Sequence, residues 1–299
     1  MMEIVKSTNI DFIGLRYKAF VLSGFLVLLG IYAFVMVALG RGNLSVDFTG
    51  GTHIQIRFKE KIDVGSLRKA LTDAGFRDIR VQEVAGTNDF FLKTKLLSIE
   101  GKRIEEARSE VLKRSTQKEF EVLGSNMVGE SVGRELKKYA IVAVCLALIG
   151  IIIYIAFRFT CFSGIAATIA TFHDVLCVFG IYFLFGKEIN LLLITALLTI
   201  AGYSLEDTVV VFDRIRENHS KMGQKEDFGR IINLSINQVL GRTLITSLTT
   251  IIAVCAIMIL GGEALMDFAL PFFFGLIVGT YSSIFVASPI LYMWRKRGL

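Results

Sequence analysis

The chain has 299 residues, 53% of them hydrophobic and 20% charged, with a formal net charge of +6. That is too apolar for an ordinary water-soluble globular protein. The surplus positive charge forms no patch interleaved with aromatic residues, which argues against a nucleic-acid groove; Lys and Arg gather instead at the ends of apolar runs.

A hydrocarbon layer about 30 Å thick takes about 20 apolar residues of helix to cross. After an N-terminal segment, residues 1–18, the first such run is Ala19–Gly40. It is too long for a removed signal peptide and lacks a small-residue cleavage site, so it reads as a retained span. Residues 41–136 then carry dense, nearly balanced charge and read as a separate soluble domain. Within it, Ser45–Phe58 contains the alternation His53-Ile54-Gln55-Ile56-Arg57-Phe58 of a half-buried strand. Val64–Ala74 has helical spacing and Gly75 as a stop. Ile79–Val84 and Phe90–Leu97 read as strands around a turn with Gly86 and Asn88, Ile104–Ser115 as a helix, and Phe120–Val128 as a last strand. The order βαββαβ is that of a split-βαβ, ferredoxin-like α+β sandwich.

The segment Val46-Asp47-Phe48-Thr49-Gly50-Gly51-Thr52 opens that domain. Paired glycines could cradle an anion through backbone amides, yet the lysine and following helix of a phosphate loop are missing. Asp47, Gly50, Gly51 and Thr52 therefore read as a tight turn or bulge that aims the strand where it leaves the membrane. His53 has no second metal ligand near it in sequence.

Five further runs, Tyr139–Phe157, Cys161–Gly186, Ile189–Phe212, Thr243–Gly262 and Phe268–Trp294, give six spans, the last five within residues 137–294. Six spans place both termini on one side. Lys6, Arg16, Lys18, Arg158, Arg214, Arg216, Lys221, Lys225, Arg230, Arg295, Lys296 and Arg297 share one face, which the positive-inside rule assigns to the cytoplasm together with the tail 295–299. Lys137 and Lys138 fall on the other face, as a long translocated domain tolerates. The cytoplasmic loop 213–241, with Phe228, Ile231, Ile232, Leu234 and Ile236, is predicted to form an interfacial amphipathic helix. Cys145, Cys161, Cys177 and Cys255 all lie in apolar runs without CxxC spacing, which suggests packing.

Ionisable side chains at membrane depth are costly enough to suggest function. His173-Asp174 lies near the middle of the third span, Glu206-Asp207 in the inner part of the fourth, and Arg242 at the start of the fifth. Asp207 sits about 10 Å above the cytoplasmic end at 1.5 Å per residue, a level that Arg242 also reaches. Asp207 and Arg242 read either as a permanent buried salt bridge that fixes packing or as part of a proton relay. Glu206 and Asp207 point about 100° apart, so one arginine does not neutralise both. His173 reads as a neutral histidine bonded to another helix or as a relay member.

These residues resemble the SecF branch of the SecD/SecF family of the bacterial Sec protein-export machinery, within the RND superfamily of proton-driven transporters. The carrying motifs are the Val46–Thr52 segment, His173-Asp174, the stretch Gly202-Tyr203-Ser204-Leu205-Glu206-Asp207-Thr208 continuing to Asn218, and Asn237-Gln238-Val239-Leu240-Gly241-Arg242-Thr243. Family members commonly carry Asn where this chain has Glu206. The resemblance implies half of an RND-like polytopic α-helical membrane protein, with the ferredoxin-like domain on the periplasmic side of the bacterial inner membrane. It implies that Asp207 and Arg242 are the proton-relay residues; Glu206, Asp174 and His173 join the candidate relay as ionisable groups at membrane depth. It also implies a SecD partner, the SecYEG channel, YajC, YidC and a translocating preprotein. Such a chain is a transport subunit and not an enzyme, with the proton gradient in place of any cofactor or metal. A small-molecule exporter and a non-energised scaffold remain as alternatives, and sodium could replace protons.

Overall fold

Long helices form from the apolar runs, and the charged stretch after the first of them forms a compact unit of its own. The computed structural model describes residues 8–73, 79–83, 88–94, 98–99, 102–103, 119–223 and 226–296. In chain order, α1 (Arg16–Ala38) is followed by a single helical turn, α2 (Val46–Thr49), β1 (Gly51–Phe58), α3 (Val64–Asp73), β2 (Arg80–Glu83) and β3 (Asp89–Thr94). A short ribbon, β4 (Ser98–Ile99) and β5 (Lys102–Arg103), precedes β6 (Phe120–Val128). The remaining helices are α4 (Glu130–Arg158), α5 (Cys161–Leu184), α6 (Leu191–Met222), α7 (Phe228–Leu260), α8 (Gly262–Ser282) and α9 (Ser288–Lys296), with the π-helical stretch Ser283–Ala287 joining the last two. The fold divides into an α+β unit, Leu44–Val142 with Glu188–Leu191, and a membrane unit of Met1–Asn43, Ala143–Lys187 and Leu192–Leu299.

In the α+β unit, β1 is central, and its alternation buries Ile54, Ile56 and Phe58 against Leu67 and Leu71 of α3 and against Phe90 and Leu92 of β3. The sheet order is β2-β3-β1-β6, antiparallel throughout. That is the ferredoxin-like arrangement the sequence predicts; the second helix, Ile104–Ser115, lies outside the described residues, as do Gly75 and Gly86.

Extended structure does not begin at Ser45, because Val46–Thr49 makes a helical turn capped by the Ser45 hydroxyl, which accepts the Asp47 N–H at 3.0 Å. Two glycines with φ of 73° and 140°, Gly50 and Gly51, then redirect the chain into β1. A side chain at Gly50 would be strained, and its Cβ would meet Glu130 Cα at 2.9 Å. Asp47 Oδ2 accepts the Leu191 N–H at 3.2 Å, and Ser45 N–H donates to the Ile189 carbonyl at 3.0 Å. The segment thus pins residues 188–191 to the α+β unit.

Among the described residues of the membrane unit and its flanks, six helices are long and apolar enough to cross a membrane. The apolar stretches of α5, α6 and the last helix are roughly half buried, whereas α1, α4 and α7 expose most of theirs. Exposed Phe25, Leu28, Phe157 and Leu248 are what a hydrocarbon solvent favours and water does not. Gly30 and Gly180 let α1 and α5 meet backbone to backbone, since a Cβ on Gly180 would stand 2.6 Å from the Gly30 nitrogen.

The predicted interfacial helix in 213–241 is not formed. Instead α6 runs on to Met222 and α7 starts at Phe228, capped by Asp227, whose side chain accepts the Arg230 N–H at 3.0 Å. The apolar stripe Ile231, Ile232 and Ile236 is buried with Phe212 and Ile215 of α6 rather than laid on a membrane surface. Asn218 Nδ2 fastens the two helices, donating to Ser235 Oγ at 2.9 Å and Gln238 Oε1 at 2.7 Å. With 33 residues, α7 is about 50 Å long at 1.5 Å per residue and extends well past the apolar layer.

Candidate functional site

Small residues on α5, among them Ala166, Ala167 and Ala170, are fully buried and let neighbouring helices close on it. Asp174, on the same helix, is wholly buried and His173 nearly so. His173 Nδ1 meets Asp174 Oδ1 at 2.7 Å, and its Nε2 lies 3.5 Å from Cys177 Sγ. The histidine therefore turns to groups on its own helix. Asp174 Oδ2 accepts hydrogen bonds from Ser204 on α6 and from Ser282 Oγ at the end of α8, the latter at 2.6 Å. Gly279 makes the approach possible, since its Cβ would stand 3.1 Å from Ser204 Cβ. Ser282 is the last residue before the π turn.

One helical turn after Ser204, Asp207 is also buried. The hydroxyls of Thr280 on α8 and Ser247 on α7 act on its carboxyl and lie 2.6 Å from each other. Asp207 Oδ2 is buried with no hydrogen-bond partner. Two carboxyls, on α5 and α6, are thus surrounded by one imidazole from α5 and four hydroxyls from α6, α7 and α8.

Arg242 is not brought to them. It is exposed on α7 and makes no ion pair among the described residues. The reason is rotational: Thr243 and Ser247, four residues apart, share the buried face, and Arg242 lies about 100° away from it at 3.6 residues per turn. The expected Asp207–Arg242 pair is replaced by contacts with hydroxyls. Glu206 is likewise exposed, although its charge acts on Asp207. Gly202 is exposed, with nothing within 4 Å of where a Cβ would stand. Asp47, Gly50, Gly51 and Thr52 belong to the α+β unit described above.

Sequence reading did not single out Ser204, Ser247, Thr280 or Ser282 as site residues. The run Thr280-Tyr281-Ser282-Ser283, polar within an apolar span, was the available signal. Among the described residues, no group of three or more His, Cys, Asp or Glu could hold a metal ion.

Residues 108–297 match the family described as protein export membrane protein SecD/SecF, C-terminal, and residues 43–62 match the SecD/SecF GG motif. The chain is 46% identical to the protein translocase subunit SecF of Thermodesulfovibrio yellowstonii over 100% of its own length and 99% of that protein's. It is 41% identical to the protein translocase subunit SecDF of Thermus thermophilus, covering 93% of this chain and 38% of that one. A crystal structure of the Thermus SecDF, a translocon-associated membrane protein, superposes with a TM-score of 0.83 at 38% identity, over 99% of this chain and 40% of that one. With the matched model spanning well over half its length, the chain belongs to the SecD/SecF family of protein-export membrane proteins.

Proposed function

We propose that this multi-pass subunit draws on the proton gradient to assist protein export, working with a SecD chain beside the SecYEG channel. The α+β unit faces the periplasm and both termini face the cytoplasm of the inner membrane, as the Lys and Arg distribution argues. The observation that carries the reading is the buried carboxyl pair, Asp174 and Asp207, solvated by Ser204, Ser282, Ser247 and Thr280 with no arginine or lysine ion-paired to either among the described residues. A hydroxyl can donate to a carboxylate or accept from a carboxylic acid, so these partners suit both protonation states. The unpartnered Asp207 Oδ2 is where a proton would arrive.

The SecD partner is argued from the Thermus relative, whose single SecDF chain is more than twice as long as the part matched here. YajC, YidC and the translocating preprotein complete the proposed partner set. No cofactor and no covalent step enter, because the work comes from the gradient.

The test is export into inverted membrane vesicles carrying Asp207→Asn, with and without a proton gradient. Loss of the gradient-stimulated fraction with SecD still co-purifying is expected; undiminished stimulation would sink the proton reading and leave a scaffold. Repeating the assay with a sodium gradient identifies the coupling ion.

A further inference from the structure

The end of the membrane unit that carries Arg158 holds a cavity of about 550 Å³, which neither buried acid lines. Its floor is apolar, with Phe162 from the first turn of α5, Phe212 from α6 and Leu291 from α9. Its rim carries Arg216 of α6 and Arg295 of α9. Asp213 also lines the cavity, but Arg158 already holds it in an ion pair and Arg216 stands 3.3 Å from its other oxygen. Three guanidinium groups against one carboxylate leave a surplus of positive charge. Arg295 makes no ion pair among the described residues; its guanidinium lies 4.5 Å from the centre of the Phe228 ring. Trp294, the chain's one tryptophan, sits with its ring centre 6.5 Å from that of Phe162, as an indole does at a membrane–water boundary.

We infer that this cavity binds the phosphodiester headgroup of an anionic phospholipid, with Arg216 and Arg295 on the phosphate and an acyl chain along Phe162 and Leu291. Three features select that ligand. Basic pockets between membrane helices attract anionic headgroups, and the surplus charge leaves a zwitterionic lipid no better than neutral in the balance. The aromatic floor offers nothing to a small hydrated anion but suits the first methylenes of a lipid tail. The volume falls in the range of roughly 300–1,000 Å³ usual for organic ligands.

The test is native mass spectrometry of the purified full-length chain with added phosphatidylglycerol, phosphatidylcholine or inorganic phosphate. Wild type is expected to retain phosphatidylglycerol preferentially, and Arg216→Gln with Arg295→Gln to weaken that binding about tenfold or more. Replacing both by lysine keeps the charge and should restore most of the binding. Ser220→Trp, at an exposed position on the cavity rim, blocks the cavity with both arginines in place and should also remove the lipid, which separates loss of the site from loss of the fold. Equal retention of phosphatidylcholine, unaltered binding in the double glutamine variant, or displacement of the lipid by millimolar phosphate would each overturn the assignment.

Discussion

In the α+β unit, Asp89 is gripped by Arg57 through contacts of 2.6 and 2.9 Å, and Glu119 meets Lys59 at 2.5 Å; in the membrane unit, Asp174 and Asp207 are held by hydroxyls and an imidazole. Near water a cation keeps a carboxylate ionised, and the Arg57 guanidinium holds Asp89 below the usual carboxylate range, as Lys59 does Glu119. Inside the membrane unit a fixed guanidinium would be left buried and unpaired whenever its acid took up a proton, at a cost of several kcal/mol. Hydroxyl partners carry no such cost. The same residue type is therefore held as a permanent charge in one unit and, in the proposed relay, serves as an exchangeable one in the other.

Asp174→Asn puts that contrast under the greatest strain. It keeps size and hydrogen bonding yet removes the titratable group, and gradient-stimulated export should fall on the order of a hundredfold, the usual scale for losing a proton-transfer group. Full stimulation in this variant would show that the proton path bypasses Asp174. Gly180→Val tests the scaffold around the acids, because its branched side chain must displace the backbone of α1; about 2–3 kcal/mol of stability should be lost, read as a lower melting temperature in detergent. Ser282→Ala removes one hydroxyl from Asp174. A hydrogen bond to a charged acceptor contributes about 1.5–3 kcal/mol, and the pH profile of gradient-driven export should move; a purely structural serine would lower the melting temperature and leave the profile in place.

The smallest expected effect lies in the α+β unit. Asp89 has a folded-state pKa below its unfolded one, so its contribution is present above the unfolded value and is lost as pH falls through the folded value. Protection of the β1 and β3 amides, taken relative to their intrinsic exchange rates, should therefore fall below about pH 4, and Asp89→Asn should flatten that dependence.

Asp174, Asp207 and the six spans were legible because a charge interrupting an apolar run is a signal that survives without any alignment. The βαββ pattern was legible for the same kind of reason, since Ile54, Ile56 and Phe58 alternate with polar neighbours. The serines and threonines were not, because a hydroxyl in an apolar helix commonly bonds its own backbone four residues back, as Thr171 does to Ala167 and Thr208 to Ser204. Nothing in the sequence separates those from Ser204, which points at an acid, whereas Ser282 stands in the polar run 280–283. Arg242 shows the complementary blind spot: its depth could be counted, but the rotation of α7 that turns it outward is set by Thr243, Ser247 and Val254 packing inward. In 213–241 the periodic apolar stripe that suits a membrane surface equally suits another helix, and here it packs on α6.

The π turn after α8 fixes which hydroxyl faces Asp174. Ser288 Oγ reaches back five residues to the Ser283 carbonyl at 2.9 Å, bridging a turn that holds one residue more than an α-helical turn. Such a turn can migrate along a helix like a dropped stitch, rotating the residues it passes by about 100° without unfolding the span. The residue after Ser282 is another fully buried serine, Ser283. One residue's difference in register at this turn therefore decides which of the two serines meets Asp174.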